Sequence, residues 1–523
     1  MRRILLLGLL ALVAVAAVTF FALREGEGDV VPTHTASDEL IREFAAIQTA
    51  EKISDPYERC MAYPDPPEFK WDRKIVDAYC ALGLRKAIST QELRAELQQG
   101  HTASLKNTFD SYVSKNYEPR QHGFLIWVFR ELFDNDHGAE LAGEWAKADP
   151  ESSYALAGRG VGYLRQAWKA RGSKYVRDTP EINFINMRNL AEKARADFEE
   201  AARRSPRLIV AYASLIQLAQ LTSDDRLLSD ATEKALALDS ADQWIYDRWL
   251  DALAPQWGGT GADRQRIIDR GLQHADENPL LKRLAARPAC MEAEVAEFCR
   301  SCKTQQNARV ALDAYRRAAA VGPIACVIDG ASDAAERAGD SEAVVRFSSQ
   351  SYRFSRRFEP LYRRALTLQS LGKPELALES VDTVLNQQPN NVEALNYKGW
   401  VYEEQHKATD AESAFRAAAQ IDPDNREANT ELVNLYLGAL RKPDEAKKIV
   451  DRLMSENPNN PRAWLLSAVL YHGKDEQHCK LALGKYLQLV DKADPDSYEQ
   501  RDIDRATKRL AELTRKDPLS NLH

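Results

Sequence analysis

Long runs of β-branched residues are missing from this 523-residue chain, and helix formers dominate it. That balance predicts an all-α protein. A concentrated basic stripe is missing too. The net charge is −7 and both signs are spread along the chain. Nucleic-acid binding is therefore disfavoured, because it needs clustered Lys and Arg to displace counterions. Motifs that carry chemistry are absent as well. There is no nucleophile elbow, phosphate loop or dinucleotide fingerprint, and none of the nine histidines falls in a pattern such as HExxH. His122 and His137 lie near Asp134 and Asp136, and a polar loop accounts for that grouping. Paired carboxylates occur on many helix faces and carry no weight alone. The sequence thus predicts no reaction, no cofactor and no metal. Charge and glycine content are ordinary, which excludes broad disorder, and the length leaves room for two or three domains.

The clearest segment present is Val392 to Asn425, VEALNYKGWVYEEQHKATDAESAFRAAAQIDPDN. Apolar and small residues recur at helical spacing in two runs, split by a polar turn at His406 to Thr409. Such a pair of helices cannot bury its own apolar faces and needs neighbours of the same kind. With Val392 as the first position, Leu395, Gly399, Tyr402, Ala411, Phe415, Ala418 and Pro423 occupy the marker positions of the tetratricopeptide repeat, which the segment resembles. Lys398 departs from the large residue expected at position 7. The step then recurs: Pro389 and Pro423 are 34 apart, and Pro458 follows after 35. Backwards, Phe358 to Asn391 carries Ala377 and Val381, and a weaker unit from Ile324 to Arg357 carries Ala343 and Phe347. Forwards, Pro461 to about Ser497 has Trp464, Tyr471, Ala482 and Tyr486. Tyr498 to Lys516 reads as a polar terminal helix capping the last apolar face.

The resemblance implies an α-solenoid of tetratricopeptide-like hairpins whose first helices line a concave face. In that family the face binds extended peptides or partner helices through a few positions of each repeat. Carried over residue by residue, those positions are Glu359, Tyr362, Leu366 and Gln369, then Glu393, Asn396, Trp400, Glu403 and Glu404. Glu427, Thr430 and Asn434 follow, then Arg462, Leu465 and His472. The implied groove is acidic with aromatic and amide contacts. The family's basic clamp for a chain-terminal carboxylate is absent, so the implied partner is a basic or mixed protein segment.

At the other end, Arg2 and Arg3 precede an uncharged run from Ile4 to Leu23. That length spans a bilayer as a helix, and the flanking charges place the N-terminus in the cytoplasm and the bulk outside. A cleaved signal peptide is the rival reading, but Phe20, Phe21 and Leu23 stand where small residues should precede a cut. The alanine- and arginine-rich style looks bacterial, which puts the bulk in the periplasm, with a single-pass anchor in the inner membrane. Ser37 to Lys52 reads as a first helix. Tyr63 to Pro67 is a rigid break, and Ser89 and Glu92 have capping-box spacing.

From about Pro119 a weaker 34-residue rhythm is visible, closed by Pro150, Pro206 and Ser240 and interrupted by an insertion from Gly172 to Asn189. On RGVGYLRQAWKARG (Arg159 to Gly172) and Pro255 to Thr260, residues Leu97 to Gln273 are similar to a bacterial family of helical-repeat proteins known only as a domain of unknown function. Arg159, Tyr163, Trp168 and Arg171 form a candidate small-molecule or glycan pocket. The structural alternative is Gly160 at a close helix contact with Trp168 in the core. Trp244, Trp249 and Trp257 read as a core aromatic cluster.

The seven cysteines fit an exported protein with disulfides. Cys60 and Cys80 flank the rigid break. Cys290, Cys299, Cys302 and Cys326 gather at the junction of the two repeat regions, with pairing left open. Cys299 and Cys302 have redox-dithiol spacing, but no thioredoxin-like strand precedes them. Four thiolates are also a zinc set, though a second close pair is missing. Cys479 is the expected free thiol. The chain thus divides into an anchor and linker (1–30), a helical N-terminal region (31–118), a degenerate repeat region (119–285), a cysteine-rich junction (286–323), a repeat array (324–497) and a capping helix and tail (498–523).

Overall fold

The computed structural model describes residues 36–118, 120–174, 176–298, 304–355, 357–490 and 497–515. Among them every regular element is helical. The apolar run 4–23, Cys299 and Cys302 lie outside the described residues. Within the described residues no helix is long and apolar enough to cross a membrane.

The chain divides into two compact units. One comprises Lys52–Asp340 with Arg353–Arg356. The other joins the described parts of Met1–Glu51 to Ser341–Tyr352 and Arg357–His523. This differs from the expected domain order. The boundary falls after Asp340, inside the weak repeat Ile324 to Arg357, and the first helix belongs with the C-terminal hairpins.

The second unit contains four helical hairpins in succession. Their first helices are Glu359–Ser370, Val392–Glu404, Arg426–Leu437 and Pro461–Tyr471, and their second helices are Pro374–Gln387, Ala408–Ile421, Pro443–Glu456 and Glu476–Leu489. Ser497–Arg515 follows and packs on the last of them. Each helix packs on the next in the chain, within and between hairpins. Asn391, Asn425 and Asn460 start three of the first helices by accepting from the backbone N–H of Ala394, Ala428 and Arg462. Gly399 lets the two helices of its hairpin close up: a Cβ there would stand 2.5 Å from the Phe415 ring. Phe415 is wholly buried, so its loss to Ala would cost about 3–5 kcal/mol.

Position 7 of these repeats shows what the sequence did not. Arg364 and Lys398 stand there in place of large apolar residues. Lys398 Nζ meets Asp382 Oδ1 at 2.7 Å. Arg364 has a fully buried side chain and receives its partner from far away. Glu51, at the end of the helix Asp38–Glu51, accepts from Arg364 Nη1 at 2.8 Å and Nη2 at 3.2 Å. Ser380 Oγ and Ser349 Oγ accept from the same guanidinium, and Phe44 lies 5.0 Å beneath it. Along the same helix Glu43 takes Arg346 Nε at 2.8 Å.

In the first unit the disulfide Cys60–Cys80 joins the helices Pro56–Ala62 and Arg73–Leu82. Ser89 and Glu92 form a capping box on Thr90–Gln98. Farther along, Ser153–Arg171 packs lengthwise on Glu181–Arg204. From Glu181 on, the insertion lengthens that second helix to 24 residues, while its earlier part, with the short 3-10 turn Val176–Asp178, connects the two helices. A Cβ at Gly160 would come within 2.6 Å of the Phe198 ring, so close approach requires glycine there.

Removing one partner of a buried ion pair leaves the other charge stranded, at a cost of about 3–5 kcal/mol. Glu51→Ala is therefore expected to lower the unfolding free energy of the C-terminal unit by that much, read as a lower urea midpoint at unchanged slope. The double variant Glu51→Leu with Arg364→Met should recover most of the loss. Equal midpoints for the wild type and Glu51→Ala would show that the Glu51–Arg364 pair contributes nothing to the unit.

Candidate functional site

The first helices of the first two hairpins touch, as do those of the last two, and Asn396 of the second reaches Asn425 at the start of the third, so the first helices share one side of the array. Glu359, Glu393 and Glu427 sit at the start of three of them, where a carboxylate is favoured by the helix dipole. All three are exposed. They are close enough to interact: the Glu393 carboxyl is held above its ordinary range, first by partial burial, then by repulsion from Glu359 and Glu427. Beside them runs an aromatic stack. Tyr362 lies parallel to Tyr397 with centroids 4.6 Å apart, and Tyr397 meets Trp400 edge-on at 5.1 Å. Burial, followed by Glu393, pushes the Tyr397 phenol up.

Other residues of the face work inside the array. Tyr362 is buried and its hydroxyl bonds Asn391 Oδ1 at 3.0 Å. Asn396 is buried and donates to Asn425 Oδ1 at 3.0 Å. Thr430, also buried, accepts from Arg462 Nε at 3.0 Å, and Arg462 Nη1 pairs with Asp502 at 2.7 Å. These side chains tie each first helix to the next, so Tyr362, Asn396 and Thr430 present little surface to a partner. Leu366 is 47% exposed, Glu404 is exposed, and Trp400, Gln369, Glu403, Leu465 and His472 are half-buried. Asn434, also half-buried, donates to Glu431 at 3.1 Å. Burial, followed by Arg509, lowers the His472 imidazole.

Two family models, both described as tetratricopeptide repeat, match residues 362–426 and 402–470. Residues 362–470 are tetratricopeptide repeats. No curated protein sequence matches the chain significantly. Among solved structures it is similar to a tetratricopeptide repeat protein from Parabacteroides merdae, at 12% identity over 58% of this chain and 98% of that one, with a TM-score of 0.30. It is also similar to Pseudomonas aeruginosa pilF, at 14% identity over 60% of this chain and 96% of that one, with a TM-score of 0.21. Superpositions this weak carry no argument about shape or partners.

Away from the tetratricopeptide array, the expected pocket of Arg159, Tyr163, Trp168 and Arg171 is not assembled. Arg159 is taken by Asp197 in a two-pronged pair at 2.8 and 2.7 Å. Tyr163 carries Lys193 over its ring. Trp168 meets Trp257 edge-on at 5.8 Å, and Arg171 lies over Trp257 while donating to the carbonyls of Gly172 and Lys174. The three tryptophans do not make one cluster either, because Trp244 lies under Arg130 and Trp249 under Arg270. A second disulfide joins Cys290 to Cys326, which removes both from any four-thiolate site. Cys479 is free and buried. Among the described residues no group of His, Cys, Asp and Glu is gathered as a metal site.

The acidic stripe has a measurable signature. A carboxyl whose folded pKa is raised destabilises the fold once pH climbs past its unfolded value, and is neutral below that value. Glu393→Gln should therefore raise the urea midpoint at pH 7, and the gain should vanish below about pH 4, the ordinary glutamate range. A gain of the same size at both pH values would mean that repulsion from Glu359 and Glu427 is not its source.

Proposed function

We propose that the protein is a scaffold that captures a basic or mixed polypeptide segment on the face of its first helices. The observation that supports this reading best is the exposed row of Glu359, Glu393 and Glu427 beside the Tyr397–Trp400 stack. Three crowded carboxylates gain when a cation is placed among them, and an aromatic edge offers apolar contact and a cation–π surface to the same ligand. Arg462, the one basic side chain among the expected contact residues, is spent on Thr430 and Asp502, so it supports no capture of an acidic chain terminus. Tetratricopeptide proteins are in general non-enzymatic scaffolds, in line with the lack of catalytic motifs in this sequence.

The setting belongs to the same proposal. The uncharged run 4–23, with basic residues before it and acidic ones after it, supports a membrane tether with the folded units in the periplasm of a bacterium. Two disulfides support an oxidising compartment. Work in cell-envelope assembly or protein quality control fits that location.

Trp400→Ala combined with Asn434→Ala is expected to weaken capture of partners from solubilised membranes by about tenfold or more, the range of a central aromatic contact. Far-UV circular dichroism should be unchanged, and capture by the wild type should fall as salt rises. Undiminished capture by the folded double variant would show that the partner binds elsewhere.

A further inference from the structure

The first unit contains a cavity of about 250 Å³ whose lining includes Arg130, Trp244, Arg248, Arg283, Arg287 and the disulfide Cys290–Cys326. Four buried nitrogens of these lining residues have no hydrogen-bond partner: Trp244 Nε1, Arg248 Nη1, Arg283 Nε and Arg287 Nε. All four are donors. A buried donor without a partner costs free energy. Trp244 Nε1 faces Gly123, so the lining arginines are the donors that call for an acceptor here.

The charges agree. Three carboxylates also line the cavity, and each has a cation near it. Asp247 is paired with Arg283 and Asp251 with Arg287, and Asp134 stands 4.0 Å from Arg165. Among the described residues Arg248 makes no hydrogen bond or ion pair, and the carboxylate that acts on it most is that of buried Asp242. Burial holds its guanidinium down at about 10, which leaves it charged at neutral pH. Arg130 lies over the Trp244 ring at 4.7 Å. A neighbouring recess of about 160 Å³ shares Arg130 and Arg248 and adds Arg165 and Trp168. Five arginines thus line the two recesses against three aspartates, with an indole on either side.

We propose that this cavity binds a small molecule bearing an oxyanion, a carboxylate or a phosphate, with Arg248 as the central donor. A planar, always-charged guanidinium fits both anions through paired N–H donors. The Trp244 and Trp168 rings supply flat apolar walls for the rest of the ligand. The site is separate from the tetratricopeptide face, and of the group around Arg159 it takes only Trp168, from the neighbouring recess.

The test titrates the full-length protein with inorganic phosphate and, separately, with citrate. Ionic strength is held constant with chloride, and the thermal midpoint and tryptophan fluorescence are followed. At least one anion should raise the midpoint saturably, phosphate alone marking a phosphate site and citrate alone a carboxylate site. Arg248→Met should weaken that binding tenfold or more, and Arg171→Met should leave it unchanged. If Arg248→Met does not fold, Arg130→Met, at a half-exposed position, should show the same loss. Failure of both anions to stabilise the wild type beyond chloride would overturn the proposal. Undiminished binding by whichever of the two variants folds would overturn it equally.

Discussion

Burial between neighbours holds the C-terminal unit together. Each hairpin has an apolar face on both sides, and neither side is covered within the hairpin. Gly399 and Phe415 show how the two helices of one hairpin interlock, and Asn396 reaching Asn425 shows how one hairpin fastens to the next. Stability is therefore shared along the array, and an end left uncovered would expose core. Ser497–Arg515 covers one end of this row. The helix Asp38–Glu51 adds a second kind of cover, fastened by a buried ion pair rather than by apolar contact alone.

That fastening divides the work of the first helices. Position 5, held by Tyr362, Asn396 and Thr430, is used to align successive helices. Position 2, held by Glu359, Glu393 and Glu427, is left in solvent with its charges unbalanced. An array that needed only to fold would gain by relieving that repulsion. Keeping like charges together on one exposed row supports the proposal of a cationic neighbour. The aromatic stack beside it turns a merely acidic strip into one with shape and direction.

The repeats were legible because their signal is local. Small residues, an aromatic and a proline return every 34 positions, and one segment, Val392 to Asn425, sets the phase for the rest. The acidic row was legible for the same reason. What could not be read was anything joining distant parts of the chain. Arg364 holds the same repeat position as Lys398, and its carboxylate comes from Glu51, more than three hundred residues earlier. Tyr397, one place beyond an expected contact residue, carries the aromatic stack, and no family position marked it. Arg159, Tyr163, Trp168 and Arg171 looked like a site because they share one short stretch. On a helix that stretch splits them, with Arg159 and Tyr163 meeting Asp197 and Lys193 while Trp168 and Arg171 turn to Trp257. The cavity around Arg248 was invisible because helices far apart in the sequence build it, and the missing partners of its donors show only in three dimensions.

The central claim is that the face of the first helices receives another polypeptide. Amide hydrogen exchange of the full chain, with and without a synthetic peptide alternating lysine and aliphatic residues, tests it most directly. The account predicts slowed exchange confined to the first helices Glu359–Ser370, Val392–Glu404 and Arg426–Leu437, lost when salt is raised. Protection confined to the second helices Pro374–Gln387 and Ala408–Ile421, or to residues 52–340, would contradict it.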